Sequence, residues 1–172
     1  MMKLNLGCGS KKLEGYINAD IEPSVNPDMI IDLDKFPYPF KDSSIDEVYM
    51  EHSLEHVKYL KETLKEIYRI LKPDGILKLM IPHFSRGLTH PFHNYHFGYG
   101  FLNNIREEVP EFKFEQVTKI RFHYSRMPHP FVILLNYPLD FLANLHLGFC
   151  ERCWCYLVGG FEEMKVELKV IK

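Results

Sequence analysis

Between residues 45 and 82 the chain reads strand, helix, strand, and no other feature restricts the fold as much. IDEVYM (45–50) is a short strand-like run. Over 57–71, Leu60, Leu64, Ile67 and Leu71 recur at spacings of four, three and four, which puts them on one helical face. Lys58, Lys61, Glu62, Lys65 and Glu66 take the other face, and Pro73-Asp74-Gly75 supplies the stop and turn. GILKLMIP (75–82) then reads as a buried strand. A βαβ unit of this length implies parallel pairing, and so an α/β fold.

Three further strand-like runs precede it, at 3–6, 16–21 and 29–33. The second half is built differently. Residues 83–104 form a loop and short-helix region dense in His and aromatics, and 113–124 alternate as a long strand. Residues 126–161 read as an apolar, mostly helical insertion broken by Pro128, Pro130 and Pro138. A closing strand at 164–171 places Met164, Val166, Leu168 and Val170 on one face. The last two strands are joined by an insertion rather than a helical crossover, so one antiparallel member is expected at the sheet edge. A chain of 172 residues accommodates one domain, 1–172, with a sizeable core, and is short for two.

Composition removes several classes of function. Hydrophobic residues make up 46% and charged residues 26%, the balance of a soluble globular protein rather than a disordered one. A net charge of −2, with no basic run, argues against a nucleic-acid partner. The segment MMKLNLGCGS lacks the apolar core of a signal peptide. The nearest candidate for a span, 131–149, carries Asn136, Pro138, Asp140, Asn144 and His146. Asp alone costs about 2.5–3.5 kcal/mol at a bilayer centre. No transmembrane segment is expected, and the four Cys are expected reduced in a cytoplasmic protein.

In open α/β sheets the ligand lies beyond the carboxyl ends of the strands, where strand order reverses. Gly7-Cys8-Gly9 closes the first strand there, and glycine allows both positive φ and close approach of a ligand to backbone. Asp20, at the end of the second strand, can accept hydrogen bonds from two ribose hydroxyls. Lys12 stands where G-x-G-x-x-G needs its third glycine, and GxxxxGK[ST] is absent, so neither a dinucleotide fingerprint nor a P-loop is present. Alone, the turn fits a tight strand-to-helix connection as well as a nucleoside-type cofactor site.

The longer string LNLGCGS, NADIEP, IIDLDKFPYPFKDSSIDEVYMEHSLEHV and LKEIYRILKPDGILKLMIP resembles the class I S-adenosylmethionine-dependent methyltransferases, in particular small enzymes of the type 11 kind. The resemblance covers 4–82 closely and the final strands loosely. It implies a Rossmann-like three-layer sandwich with a mostly parallel seven-stranded sheet and an antiparallel edge strand. It implies S-adenosylmethionine as cofactor and S-adenosylhomocysteine as its product. Carried onto this sequence, it places Gly7, Cys8 and Gly9 along the methionine and ribose portions, and Asp20 on the ribose hydroxyls. Ile21 would lie against the adenine, Asp32 would accept the adenine amino group, and Leu33 would offer a backbone N–H. Met50, Glu51 and His52 would face the methyl group and substrate. Two departures stand out. Lys11 occupies the place of a third Gly or small residue, and only thirteen positions separate Gly7 from Asp20. That is too few for a full helix, so the first helix is expected shortened and the cofactor cleft more open on that side.

Methyl transfer from a sulfonium is an in-line displacement of an activated leaving group, so alignment and water exclusion are the main tasks. A base is needed only when the acceptor must lose a proton, and histidine suits that near pH 7. His52, directly after the fourth strand, is one candidate. His83 and His93 are others, from the 83–104 segment expected over the mouth of the site, with His90, His96, Tyr95 and Tyr99 lining it. Glu55 and His56 match the family's Leu-Glu-His string, where capping and anchoring roles are preferred. The spacing of His93 and His96 permits a metal reading, but pocket lining is preferred and no metal is expected. Cys150, Cys153 and Cys155 follow His146. On an α-helix Cys155 would point away from the other three, which leaves too few ligands for structural zinc and favours buried free thiols.

The 126–161 insertion reads as core, as a lid over a hydrophobic substrate, or as a surface for homo-oligomers. Two functions follow: methyl transfer to a small-molecule or glycan- or lipid-linked acceptor, or a non-catalytic methyltransferase-like binding or scaffold domain. The missing third glycine disfavours a nicotinamide oxidoreductase.

Overall fold

The computed structural model describes residues 1–87, 90–124, 130–155 and 160–172. Arg126 and Pro128 of the expected insertion lie outside the described residues. Five parallel strands form most of the sheet, in the order β3 (Met29–Ile30), β2 (Ile17–Asp20), β1 (Lys3–Leu6), β4 (Ile45–Glu51), β5 (Leu71–Pro82). β8 (Glu163–Val170) runs antiparallel beside β5, with Ile76 opposite Lys169 and Pro82 opposite Glu163. Outside β8 lie β6 (Phe114–Gln116) and β7 (Arg121–His123), both antiparallel to it. The antiparallel pairing therefore falls at the end of the sheet where the final strands placed it. Strand order reverses at β1, which sets the glycine turn at the switch point.

The strand expected over 113–124 is broken in two. Val117 N–H still donates to Glu167 O at 2.9 Å, but Gln116 Nε2 donates to Thr118 O at 2.6 Å and turns the chain out of the ladder. β5 starts earlier than expected because Pro73-Asp74-Gly75 is a bulge within it. Ile45 pairs with Leu71 but Glu47 with Ile76, and Asp74 takes φ 60° in the loop that absorbs the extra residues.

α1 (Leu60–Ile70) buries Thr63, Leu64, Ile67 and Ile70. It begins later than the apolar spacing suggests because Leu54–His56 is a 3₁₀ turn. Asp34 Oδ1 accepts from Lys58 N at 2.7 Å and Tyr59 N at 3.3 Å, serving the donors ahead of the helix from a distant loop. α2 (Phe84–Gly87) is one turn, and α3 (Phe101–Glu108) buries Phe101, Leu102 and Ile105. Leu4, Leu6, Val48, Leu77 and Leu79 are buried in the sheet. Each such side chain contributes about 1.5–3 kcal/mol by leaving water.

α4 (Pro130–Leu145) continues through α5 (Leu147–Phe149) into a π turn, Cys150–Trp154. The polar residues that argue against a membrane span have a structural task. Asn136 Oδ1 accepts from Tyr124 N at 2.9 Å, Asp140 Oδ1 from Phe122 N at 2.7 Å, and Asn144 Nδ2 donates to Ile120 O at 2.9 Å. Spaced four apart, they satisfy the open backbone edge at β7. Leu134, Tyr137, Phe141 and Leu145 face outward, exposed. Among the described residues no helix is long and apolar enough to cross a membrane.

The shortened first helix is absent altogether: residues 7–16 contain turns and irregular backbone only. Buried Asn5 and Asn18 hold this crossover instead. Asn18 Oδ1 accepts from Asn5 Nδ2 at 3.0 Å and Leu13 N at 2.8 Å, while its Nδ2 donates to Leu13 O, Tyr16 O and Asp28 Oδ2. Asn5 Nδ2 also donates to Lys11 O at 3.0 Å.

Candidate functional site

The glycine turn wraps the end of β2. Gly7 N and Cys8 N both donate to Ala19 O, at 2.9 and 3.0 Å. Gly7 has φ 70° and Gly9 φ 51°, both in the left-handed region. A Cβ on Gly7 would overlap the Ser53 side chain, which is fixed by its own bond from Oγ to Leu6 O at 3.0 Å. Gly9 N donates to Asp20 Oδ2 at 2.7 Å, and Glu22 N to Asp20 Oδ1 at 3.0 Å. The carboxylate is thus oriented by backbone and keeps a further lone pair on each oxygen.

Beside this turn opens a cavity of about 410 Å³, lined by Gly7, Gly9, Asp20, Ile21, Asp32 and Leu33. His52, Asp34, Ser53 and His56 also line it. Asp34 and Ser53 were not foreseen, because nothing in sequence links them to a loop some twenty to fifty residues away. Asp32 Oδ1 accepts from Asp34 N at 3.0 Å, which sets its side chain at the rim. A smaller cavity of about 250 Å³ shares Gly7, Gly9 and His52 and adds Cys8, Tyr49 and Glu51.

Alternation along β4 sorts the residues expected at the methyl group. Tyr49 and Glu51 face the smaller cavity, and Met50 is wholly buried in the core and lines neither cavity. Glu51 pairs with Lys11 and accepts from Tyr49 Oη at 2.6 Å. Burial alone would raise its pKa, but these bonds hold the carboxyl below the usual range. Burial, with Asp20 adding to it, pushes the Cys8 thiol up, so it stays protonated.

His52 ends β4 in the left-handed region, with φ 49° and its N–H on Met80 O at 2.9 Å. A non-glycine residue held there is strained by about 1–3 kcal/mol, as residues at working sites often are. Its Nε2 lies 3.1 Å from Glu163 Oε2 and its Nδ1 3.3 Å from Glu55 Oε1. Glu163 Oε1 lies 2.8 Å from His123 Nδ1. Burial would raise the Glu163 pKa, but the bonds from His123 and His52 overcome it and keep the carboxyl far below its ordinary value. An ionised Glu163 accepts from both rings, which fixes a proton on His52 Nε2.

The other candidate bases diverge. His83 is fully buried, its Nδ1 2.6 Å from Ser85 Oγ and its Nε2 3.2 Å from Glu151 Oε1, among Phe84, Phe122 and Phe161. It lines neither cavity, so its expected catalytic place is not met; aromatic packing at the end of β5 claims it. His93 instead approaches the 3₁₀ turn, its Nε2 4.0 Å from Glu55 Oε1, with His56 Nε2 3.9 Å from the same oxygen. Burial lowers the His93 pKa. Its ring centroid is 6.3 Å from that of His96. The segment carrying it is tied down by Asn94, whose N donates to Glu55 O at 2.8 Å and whose Nδ2 donates to His56 O at 2.8 Å.

The cysteines correct a second expectation. The π turn changes the period, so Cys155 comes back over Cys150 and the two thiols hydrogen-bond. Both, with Cys8 and Cys153, are free thiols. A further cavity of about 660 Å³ lies apart from the glycine turn between α1 and α3, against Leu64, Tyr95, Phe101 and Ile105.

Residues 16–79, from the approach to β2 to within β5, match the methyltransferase domain family. Among curated proteins none matches the sequence. Solved structures share the fold across almost the whole chain. An S-adenosylmethionine-dependent methyltransferase from Archaeoglobus fulgidus is 16% identical, with a TM-score of 0.64 over 98% of this chain and 85% of that one. The [4+2]-cyclase SpnF is 16% identical, with a TM-score of 0.63 over 99% and 74%. Phosphoethanolamine N-methyltransferase 2 of Haemonchus contortus, solved with S-adenosyl-L-methionine, is 14% identical, with a TM-score of 0.62 over 100% and 49%. Identities this low carry the fold alone, and a cyclase among these structures shows that fold does not fix reaction. The match to the methyltransferase domain family spans β2 to β5, and the β3-β2-β1-β4-β5-β8-β6 sheet is the fold that these S-adenosylmethionine-dependent methyltransferase structures share.

Proposed function

We propose that the cavity beside the glycine turn holds S-adenosylmethionine, and that the chain methylates a small-molecule or glycan- or lipid-linked acceptor. The observation that carries this is the convergence of Gly7, Gly9, Asp20, Ile21, Asp32 and Leu33 on one cavity of about 410 Å³ at the switch point. That volume lies within the range of small-molecule sites, about 300–1,000 Å³. The residues fit the cofactor. Gly9 presents bare backbone with nothing within 4 Å of its Cβ position, and Asp20 is already aimed by two N–H groups and retains lone pairs for a diol. Ile21 and Leu33 supply apolar surface for a base, and Asp32 an acceptor for an amino group.

Bound there, S-adenosylmethionine supplies a methyl group already activated on a sulfonium. The chain aligns the reactants, excludes water and, for an acceptor that must lose a proton, receives it. Nδ1 of His52 is the atom that would take this proton. Its Nε2–H is committed to Glu163, and Glu55 beside Nδ1 stabilises the charge that forms. The free thiols agree with a reducing, cytoplasmic compartment.

A second reading, a methyltransferase-like binding or scaffold domain, is favoured by the helix-free crossover and by Ile21, which is 58% exposed. Calorimetric titration with S-adenosylhomocysteine separates the two. Saturable binding that Asp20→Ala weakens supports the enzyme reading; no heat at millimolar cofactor sinks it.

A further inference from the structure

Glu55, His56 and His93 each bring one ligand-capable atom within 4.8 Å of the other two. Glu55 Oε1 is 3.9 Å from His56 Nε2 and 4.0 Å from His93 Nε2. Ligands bound at 2.0–2.2 Å to a tetrahedral zinc lie about 3.3 Å apart, so closing the group takes about 0.6–0.7 Å along each Glu55 pair and at most about 1.5 Å between the two imidazoles.

The hydrogen bonding around these atoms calls for a cation. His56 Nδ1 lies 2.9 Å from Phe92 O, which can only accept, so the ring proton sits on Nδ1 and Nε2 turns a lone pair toward the carboxylate. A ligating histidine is usually held in this way, by a carbonyl on its far nitrogen. Glu55 is wholly buried, and among the described residues its Oε2 has no hydrogen-bond partner. The His93 side chain is 9% exposed, and its Nδ1 has none either. A buried polar group left unpaired costs about 1–3 kcal/mol, and a carboxylate more, so two in one cluster need an explanation.

We propose that Glu55, His56 and His93 bind one divalent transition-metal ion of the zinc class. Two imidazoles and a carboxylate suit such a metal and leave a coordination position open. The site clamps the 3₁₀ turn at Leu54–His56 to the segment carrying His93, already joined through Asn94. His56 also lines the cavity at the glycine turn, so the metal would lie beside it, with an open position able to take an oxygen from water or from an acceptor. This departs from the expectation of no metal, which looked to His93 and His96 and could not see Glu55 folded against His93. The proposal stands without the methyl-transfer reading.

The full chain, stripped with a chelator and checked for folding by circular dichroism, is titrated with Co²⁺ and Zn²⁺ by absorption and calorimetry. One equivalent is expected, with the weak visible bands of nitrogen and oxygen ligation. His93→Ala and His56→Ala should each weaken binding at least tenfold, with His96→Ala unchanged. Glu55 is wholly buried, so misfolding of its replacement would say nothing about the metal, and the two histidine variants decide. Failure of saturable uptake, a strong thiolate charge-transfer band from Cys150, Cys153 or Cys155, or unaltered affinity in both variants overturns the site. A parallel titration of the same metal-free protein with S-adenosylhomocysteine keeps a missing metal distinct from a missing cofactor.

Discussion

The two walls of the cavity beside β1 are built in different ways. One, Gly7 to Asp20, uses backbone: positive φ at two glycines, N–H groups on Ala19 O and Asp20, and a crossover sewn by Asn5 and Asn18. The other is His52 at the end of β4, held from behind by side chains brought from far apart, Glu163 on β8 and, through it, His123 on β7. Backbone shapes a cradle that changes little with pH. The imidazole–carboxylate wall holds protons whose positions depend on every neighbour. Binding should therefore depend on the first wall and chemistry on the second, and substitutions can break that division.

The largest effect belongs to His52→Ala. Turnover with an acceptor that must lose a proton should fall about 10²–10⁴-fold, while affinity for S-adenosylhomocysteine changes little. Equal losses in turnover and in affinity would assign His52 to the binding wall. Next is Gly7→Ala, where positive φ and overlap with Ser53 act together. Urea unfolding should show a loss of at least about 2 kcal/mol. Gly9→Ala, whose Cβ meets nothing within 4 Å, should cost about 1 kcal/mol. Equal costs at both would show that the Ser53 contact does not matter.

How much of each wall was legible follows from the same difference. Apolar runs gave β1 and β4, and apolar period gave α1 and β8, because α1 and β8 each bury one face. Strand-end placement gave Gly7, Gly9 and Asp20, and the family resemblance added Asp32; all four line one cavity. Met50 was misplaced because its neighbours Tyr49 and Glu51 hold the cavity side of β4. Glu163 and His123 were missed because 111 residues separate Glu163 from His52 and no period joins them. Asn18 and the Asn136, Asp140 and Asn144 ladder were hidden likewise. Their partners are backbone groups, which no sequence pattern marks.

Further substitutions sharpen the contrast. Asp20→Ala should weaken S-adenosylhomocysteine binding by about 1.5–3 kcal/mol in calorimetry, with turnover at saturation little changed. Asn18→Ala should lower stability by about 1–3 kcal/mol and loosen the crossover, seen as faster amide exchange through residues 7–16. The smallest effect is a pH dependence. The folded pKa of Glu163 is depressed, so its contribution to stability is complete above the ordinary carboxylate value, about 4.3, and is lost as pH falls below it. The melting temperatures of the parent and Glu163→Gln should therefore differ most above that pH and converge in acid. A constant gap would contradict the ionised, doubly bonded Glu163.

A crystal structure of the chain with S-adenosylhomocysteine tests the binding wall most directly. The expected density has its ribose on Asp20, its adenine between Ile21 and Leu33, and its sulfur on the His52 side of Gly7. Density in the cavity between α1 and α3 instead, or none at saturating ligand, would contradict it.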